Sequence, residues 1–179
     1  MKTIPLFYLL LFVSCTADKQ NSGEPEDAAV IEQEIAGYHH GLKRAYNGAS
    51  INTDSLLNNF FDKDVYYVTY WGDTEPINST KLRLRKALSA IKDYDNHIES
   101  LKVKVYGDGA YAFFILRQTY ALNGVLMDEY LPTTFIFERR ENRWIVVHVH
   151  RSADVQTIQQ YMNVAQRRGQ GDATTSSKE

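Results

Sequence analysis

The change of hydrophobic period partway along the chain is the feature that most restricts its fold. Between Ala28 and Tyr46, apolar residues recur at steps of three and four, which predicts one long amphipathic helix. After residue 95 the period becomes two, as in Leu101, Val103 and Val105, and such alternation predicts strands. Helices followed by an antiparallel meander predict an α+β fold in which the helices pack on one face of a sheet.

Shorter signals place the remaining elements. A short helix is predicted to begin at an Asp54 cap, and another is predicted over 81–92. The β-branched and aromatic run 65–71 predicts a strand. Asn123-Gly124 predicts a tight hairpin between strands at 110–121 and 126–139, and a last strand is predicted over 143–151. Pro132 predicts that the strand over 126–139 bulges or lies at an edge.

The first 15 residues, MKTIPLFYLLLFVSC, have the pattern of an export signal. Lys2 precedes an apolar run over 4–13 that is too short to cross a bilayer core of about 30 Å as a helix. Cys15 ends this run and is the 1 cysteine of the 179 residues, which excludes an internal disulfide and a cysteine-rich metal or redox site.

The same segment resembles the signal peptide of bacterial lipoproteins. This resemblance implies lipidation at Cys15 and a chain anchored to a membrane of the cell envelope, on its periplasmic or cell-surface side. The alternative is an ordinary secretory signal in which Cys15 is incidental.

Composition divides the rest of the chain. We expect a signal peptide over 1–14, a polar flexible tether over 15–27, one folded domain over 28–165 and a disordered tail over 166–179. The formal net charge of −2 gives no general attraction to nucleic acid, so no nucleic-acid partner is expected. The basic run over 81–86 is interpreted as a solvated helix face.

Two motifs carry a resemblance to a known family. Trp144 to Ser152 reads WIVVHVHRS, and Arg117 is followed by Thr119 and Tyr120. These motifs resemble the nuclear transport factor 2-like (SnoaL-like) superfamily, and most closely the association, or hub, domain of the calcium/calmodulin-dependent protein kinases. The resemblance implies a curved, cone-shaped mixed sheet wrapped by N-terminal helices, a deep pocket, and an opposite sheet face that forms dimers.

The resemblance also implies which residues line the pocket. Arg117 and Arg151 match pocket arginines of the hub domains, and Phe135 stands where those domains have a third arginine. Cations on an apolar wall are costly unless paired, and a small carboxylate would pair them. The alternative is that both arginines pair with internal acids such as Asp128 or Glu129. Strand parity puts Phe113, Ile115 and Thr119 on the face of Arg117, and Ile145, Val147 and Val149 on the face of Arg151.

Aromatic residues are the main excess in the composition, with 12 Tyr, 8 Phe and 2 Trp. Tyr38, Tyr70 and Trp71 lie where the cone would close, so they are candidate ligand contacts, and core packing is the alternative. His148 and His150 have the other parity and are interpreted as packing or interface residues. No metal site and no cofactor is expected.

Three functions remain open. The first is an envelope-anchored module that binds a small acidic or aromatic ligand without catalysis and forms a homodimer or larger homo-oligomer. The second is an isomerase, dehydratase or hydrolase of the SnoaL or ketosteroid isomerase type. The third is a purely structural oligomerisation domain. The candidate acids and bases for the second function are Asp73, Asp128, Tyr66 and Tyr70.

Overall fold

The computed structural model describes residues 24–175, with side chains described over 24–166. In this part of the chain the helices are α1 (Glu24–Tyr46), α2 (Thr53–Phe60), α3 (Ile77–Ala90) and α4 (Val155–Thr175). The strands are β1 (Phe61–Val68), β2 (Thr74–Glu75), β3 (Ile91–Tyr106), β4 (Gly109–Leu122), β5 (Val125–Arg140) and β6 (Arg143–Arg151).

The strands form one mixed sheet in the order β2-β1-β6-β5-β4-β3. β1 runs parallel to β6, and every other neighbouring pair is antiparallel. This arrangement confirms the predicted α+β fold with N-terminal helices and a mixed sheet. The chain reaches β6 from β1 by way of α3 and the β3–β4–β5 meander, so the two parallel strands are far apart in sequence.

Turn and bulge residues shape the meander. Asn123 and Gly124 have φ values of 51° and 76°, as a two-residue hairpin turn requires, which confirms the predicted hairpin. β3 shifts register near Asp93 and again near Ser100, where φ is 53° and 56°. Because a bulge bends its strand and increases the local twist, β3 curves around the helices.

A bulge in β6 decides which side chains face the helices. Ile136 of β5 pairs with His148, whereas Phe137 pairs with Val146, so Val147 is an extra residue in β6. One extra residue reverses the alternation of faces for the rest of the strand. The inner face of β6 therefore carries Trp144, Val146, Val149 and Arg151, and all but Arg151 are buried.

The bulge lies in β6 and not at Pro132 of β5, where a bulge or an edge position was predicted. Pro132 pairs with Ile115 in an unbroken register, so β5 keeps one parity along its whole length. The prediction that Ile145 and Val147 share the face of Arg151 is wrong, because the bulge at Val147 lies between them and the end of the strand.

An aromatic core fills the space between the sheet and the helices. Phe114, Phe135 and Phe137 are fully buried on the inner face. The Phe135 ring lies 5.1 Å from the Phe114 ring and 5.6 Å from the Phe60 ring, in edge-to-face arrangements that aromatic pairs prefer. Burial of these rings is the main hydrophobic stabilisation of the domain.

The helix ends differ from the predicted ones. α1 begins at Glu24, inside the predicted tether, because Asp27 pairs with Arg139 and accepts a hydrogen bond from the indole nitrogen of Trp144 at 3.4 Å. α4, which was not predicted from the sequence, runs over Val155–Thr175 and so ends inside the predicted tail. Cys15 and the predicted signal peptide lie outside the described residues. Within the described residues, no helix is long and apolar enough to span a membrane.

α4 covers a strand edge that β6 leaves open. β6 pairs with β5 only from Thr133 onward. In the part of β5 before Thr133, the Thr157 hydroxyl accepts a hydrogen bond from the Tyr130 amide at 3.0 Å. The Gln160 side chain bonds both the amide and the carbonyl of Asp128 there, at 2.8 and 2.9 Å. Side chains of a helix thus satisfy backbone groups that a neighbouring strand would otherwise bond.

Candidate functional site

A cavity of about 230 Å³ lies between the inner face of the sheet and the helices. At about 30 Å³ per water molecule, this is room for roughly eight waters, or for one small organic molecule. Tyrosines dominate its wall, and the apolar remainder comes from leucine, isoleucine and alanine side chains. The lining tyrosines are Tyr38, Tyr46, Tyr67, Tyr70, Tyr94, Tyr120 and Tyr161. The aromatic excess of the sequence is therefore concentrated around this cavity.

Arg151 places a positive charge in the cavity wall. It ends β6 on the inner face, and its Nε is buried with no hydrogen-bond partner among the described residues. No carboxylate of residues 24–166 lies within 4.0 Å of its guanidinium nitrogens. Burial alone would lower the pKa of Arg151, but Tyr67 and Tyr38 outweigh that effect and its pKa lies above the ordinary value. The guanidinium is therefore charged and lacks a counter-ion.

A second arginine in the wall is already neutralised. Arg83 of α3 borders the cavity and lies 2.5 Å from a carboxylate oxygen of Glu75, which also accepts a hydrogen bond from the Thr80 hydroxyl at 2.8 Å. Arg83 belongs to the basic run over 81–86 and is exposed, so it borders the cavity from the solvent side. Its pairing leaves Arg151 as the uncompensated cation of the described cavity wall.

Arg117 does not reach the cavity, and the prediction that it lines the pocket is wrong. Its direct cross-strand partner is Tyr130, and both lie on the outer sheet face, where the guanidinium sits 5.4 Å from the Tyr130 ring centroid. An oxygen of Asp128 lies 3.5 Å from Arg117, so the alternative of internal pairing holds for this arginine. The next residue, Gln118, takes the inward position.

The other predicted ligand contacts divide between core and cavity. Phe135 is buried among other phenylalanines and does not line the cavity, so its predicted role as a ligand contact is replaced by core packing. Tyr38 and Tyr70 line the cavity. Trp71 borders an outer cavity of about 170 Å³ that shares Tyr70 and Arg151 with the inner one. Ligand binding by these side chains stays a prediction.

A buried carboxylate next to the cavity was not identified from the sequence as a functional residue. Glu129 is 1% exposed and accepts hydrogen bonds from Gln118 Nε2 at 2.5 Å, from the Tyr120 hydroxyl at 2.7 Å and from the Tyr161 hydroxyl. The signal in the sequence is an acid at an inner position of a strand, between Met127 and Leu131. Such an acid must be hydrogen-bonded inside the fold.

The remaining acid and base candidates do not converge. Asp128 and Tyr66 lie on the outer face of the sheet, while Asp73 borders the outer cavity and Tyr70 borders both cavities. Among the described residues there is no cluster of three or more His, Cys, Asp or Glu side chains suited to a metal ion.

Comparison with protein families agrees with this geometry. Residues 80–155 match the sequence model of the calcium/calmodulin dependent protein kinase II association domain. This segment runs from α3 through β6, so it contains the meander and Arg151. No curated protein that was compared matches the sequence.

Solved structures identify the architecture. A candidate dehydratase of the NTF2-like family from Streptomyces avermitilis superposes with a TM-score of 0.61 at 13% identity, covering 73% of this chain and 98% of the other. The sheet and helices described above therefore form an NTF2-like fold. An NTF2-like protein from Cytophaga hutchinsonii superposes with a TM-score of 0.59 at 10% identity, covering 70% and 97%. The kinase II hub from S. rosetta superposes with a TM-score of 0.58 at 13% identity, covering 71% and 96%.

The predicted NTF2-like fold is therefore confirmed, with the kinase hub domains among the structural neighbours. At these identities the superpositions show the NTF2-like fold alone, and the hub-like sequence signal comes from residues 80–155. α4 begins where the matched segment ends, so this helix is an addition to the part that the family model describes.

Proposed function

We propose that this NTF2-like domain binds a small carboxylate with an aromatic or apolar body, and that it does so without catalysing a reaction. One observation supports this most strongly: the charged Arg151, whose Nε is buried, faces a tyrosine-lined cavity and has no counter-ion among the described residues. An uncompensated buried charge is costly, and a carboxylate would pair with its guanidinium in bidentate fashion. The family resemblance supports the same assignment.

The wall of the cavity favours an aromatic body on the ligand. Tyr38 and Tyr67 border the same space as Arg151, and both influence its pKa. Leu42, Leu57 and Leu84 give apolar surface beyond them. Rings of this kind stack on a ligand ring and still offer hydroxyl groups to its polar edge. The size of the cavity fits one ring with a short acidic chain.

A catalytic role has less support from this geometry. A general base needs a free lone pair within reach of a substrate proton. Three donors already occupy the Glu129 carboxylate. Asp73 and Glu75 border the outer cavity, which Arg151 also lines, but neither lies within 4.0 Å of its guanidinium nitrogens, and Glu75 is already bonded by Arg83 and Thr80.

A set of acid and amide pairs tests the binding proposal. We expect benzoate and phenylacetate to raise the melting temperature of the purified protein, because they bind the folded state through Arg151. Benzamide and phenylacetamide match them in shape but lack the charge, and acetate has the charge but no ring. We expect these three controls to leave the melting temperature unchanged. Equal shifts with the acids and the amides would contradict the proposal.

We further propose that the outer sheet face mediates self-association. Cross-strand neighbours form a row across it, from Tyr111 through Ile136 and His148 to Tyr66. Three of these side chains are exposed, and Tyr66 stacks on His148 at a ring distance of 5.5 Å. Exposed apolar rows of this kind mark interaction surfaces, and the match to an association domain supports a second copy as the partner.

Light scattering tests self-association. We expect the wild-type protein to be a dimer or larger oligomer, and Ile136→Glu to weaken association about tenfold or more because it places a charge in the apolar row. Leu126→Glu is the matched control, since Leu126 is exposed but lies outside the row. A monomeric wild-type protein at high concentration would contradict this part of the proposal.

The anchoring at a cell-envelope membrane through Cys15 belongs to the same proposal and depends on the lipoprotein-like signal. Partitioning of the expressed protein into a detergent phase, compared with a Cys15→Ser variant, tests it. Equal partitioning of the two would argue for an ordinary secretory signal.

A further inference from the structure

Tyr161 lines the cavity from α4, the helix that follows the last strand of the sheet. α4 is held there by two sets of bonds. Thr157 and Gln160 bind the open edge of β5, and Tyr161 itself reaches the carboxylate of Glu129. These side-chain hydrogen bonds therefore fix the position of α4 relative to the sheet.

The Tyr161 ring bridges two parts of the cavity wall. Its hydroxyl lies 2.7 Å from the Tyr120 hydroxyl on the sheet side. Its ring lies 5.6 Å from the Tyr70 ring and 5.7 Å from the Trp71 ring, both of which follow β1. The ring thus closes the side of the cavity that would otherwise open between the sheet and the segment after β1.

Glu129 makes this closure rigid. The Tyr120 and Tyr161 hydroxyls bond one of its oxygens, and Gln118 bonds the other. Because the carboxylate is 1% exposed and has three donors, it has no free position for a ligand group. Its role is to fix the Tyr161 ring, since charge-assisted hydrogen bonds to a buried acid are strong and directional.

We propose that Tyr161 is the specificity-determining residue of the cavity and sets an upper limit on the length of the bound acid. This inference rests on the proposed function, because it assumes that a carboxylate binds at Arg151. Tyr161, Tyr120 and Leu122 line the same cavity of about 230 Å³ as Arg151. We expect a ligand of one ring and a short chain to fit within this volume, and a longer one to meet the Tyr161 ring.

Titration calorimetry with a length series tests the limit. The probes are benzoate, phenylacetate, 3-phenylpropionate, 4-phenylbutyrate and 6-phenylhexanoate. For the wild-type protein we expect affinity to fall by at least tenfold between the shorter and the longest acids. For Tyr161→Ala we expect this preference to shift by at least tenfold towards the longer acids. Met162→Ala is the matched control, because Met162 is exposed on the same helix, and it should keep the wild-type preference.

Two further variants separate the effect of the Tyr161 ring on ligand length from its effect on folding stability. Tyr161→Phe keeps the ring and is expected to keep the length limit. Tyr161→Leu keeps an apolar side chain, but a shorter one. It gives the same comparison of length preference if Tyr161→Ala does not fold. Each variant leaves Glu129 with Gln118 and Tyr120 as donors. An unchanged length preference in a folded Tyr161→Ala or Tyr161→Leu protein would overturn the inference alone. Failure of the wild-type protein to bind any acid of the series would overturn the proposed function with it.

Discussion

Lowering the pH from 7 to 4.5 is expected to remove about 2–3 kcal/mol from the free energy of unfolding through one residue, His39. His39 lies on α1 and is 2% exposed. Neither ring nitrogen has a hydrogen-bond partner among the described residues. Burial, reinforced by the positive charge of Arg151, lowers the pKa of His39 to about 3.

The sign of the effect follows from the two states. In the unfolded chain His39 has an ordinary pKa near 6.5 and takes up a proton below that pH. In the folded protein it stays neutral down to about pH 3. The unfolded state therefore binds more protons between these values, and folding stability falls as the pH falls through this window. At pH 7 the contribution is close to zero.

Urea denaturation at pH 7 and pH 4.5 measures this effect. His39→Leu is expected to lose about 2–3 kcal/mol less than the wild-type protein over that interval. At pH 7 it should be as stable as the wild type or more stable, because it removes two unsatisfied buried nitrogens. His40→Leu is the matched control, since His40 is the next residue of α1 and is exposed. Equal acid sensitivity of His39→Leu and the wild type would contradict the assignment.

The sequence predicts the fold well because the hydrophobic period is a local signal. The steps of three and four identify α1, and the alternation after residue 95 identifies the meander. The Asn123-Gly124 turn also follows from local chemistry, since both residues adopt positive φ values. What the sequence does not carry is the exact start of α1, because Asp27 is fixed by Arg139, which lies far away in the chain.

The candidate site was only partly predictable, because the sheet face on which a side chain lies depends on the register of its strand. Arg117 and Arg151 were both predicted to line the pocket, yet Arg117 lies on the outer face of the sheet and Arg151 lines the cavity. The β6 bulge at Val147 and the unbroken pairing of Pro132 determine on which face of the sheet each arginine lies. Neither feature can be predicted from one sequence. Glu129 and Tyr161 meet only through the docking of α4, which no local pattern shows.

Replacing Arg151 is expected to have the largest effect on binding. Arg151→Gln should lower the affinity for phenylacetate by about 30- to 1,000-fold, which corresponds to about 2–4 kcal/mol for a buried charge pair. Arg151→Lys keeps the charge but loses the bidentate geometry, so an intermediate loss is expected. Because no carboxylate of the described residues pairs with Arg151, its removal leaves no acid without a partner. The ligand-free variants should therefore fold, with stability equal to or above that of the wild type.

Arg117 gives the matched control for this prediction. It is an arginine of the same sheet, and it lies on the outer face beside Asp128. Arg117→Gln removes the same charge from the protein and the same long-range attraction for an anion. Its salt bridge is partly exposed, so its loss is expected to change stability by less than about 1 kcal/mol.

Calorimetric titration of phenylacetate into the wild type, Arg151→Gln and Arg117→Gln is the most direct test of the central claim. We expect the wild type and Arg117→Gln to bind with the same affinity, and Arg151→Gln to bind at least 30-fold more weakly. Equal binding by all three proteins, or a loss confined to Arg117→Gln, would contradict the claim that Arg151 is the anion site of the cavity.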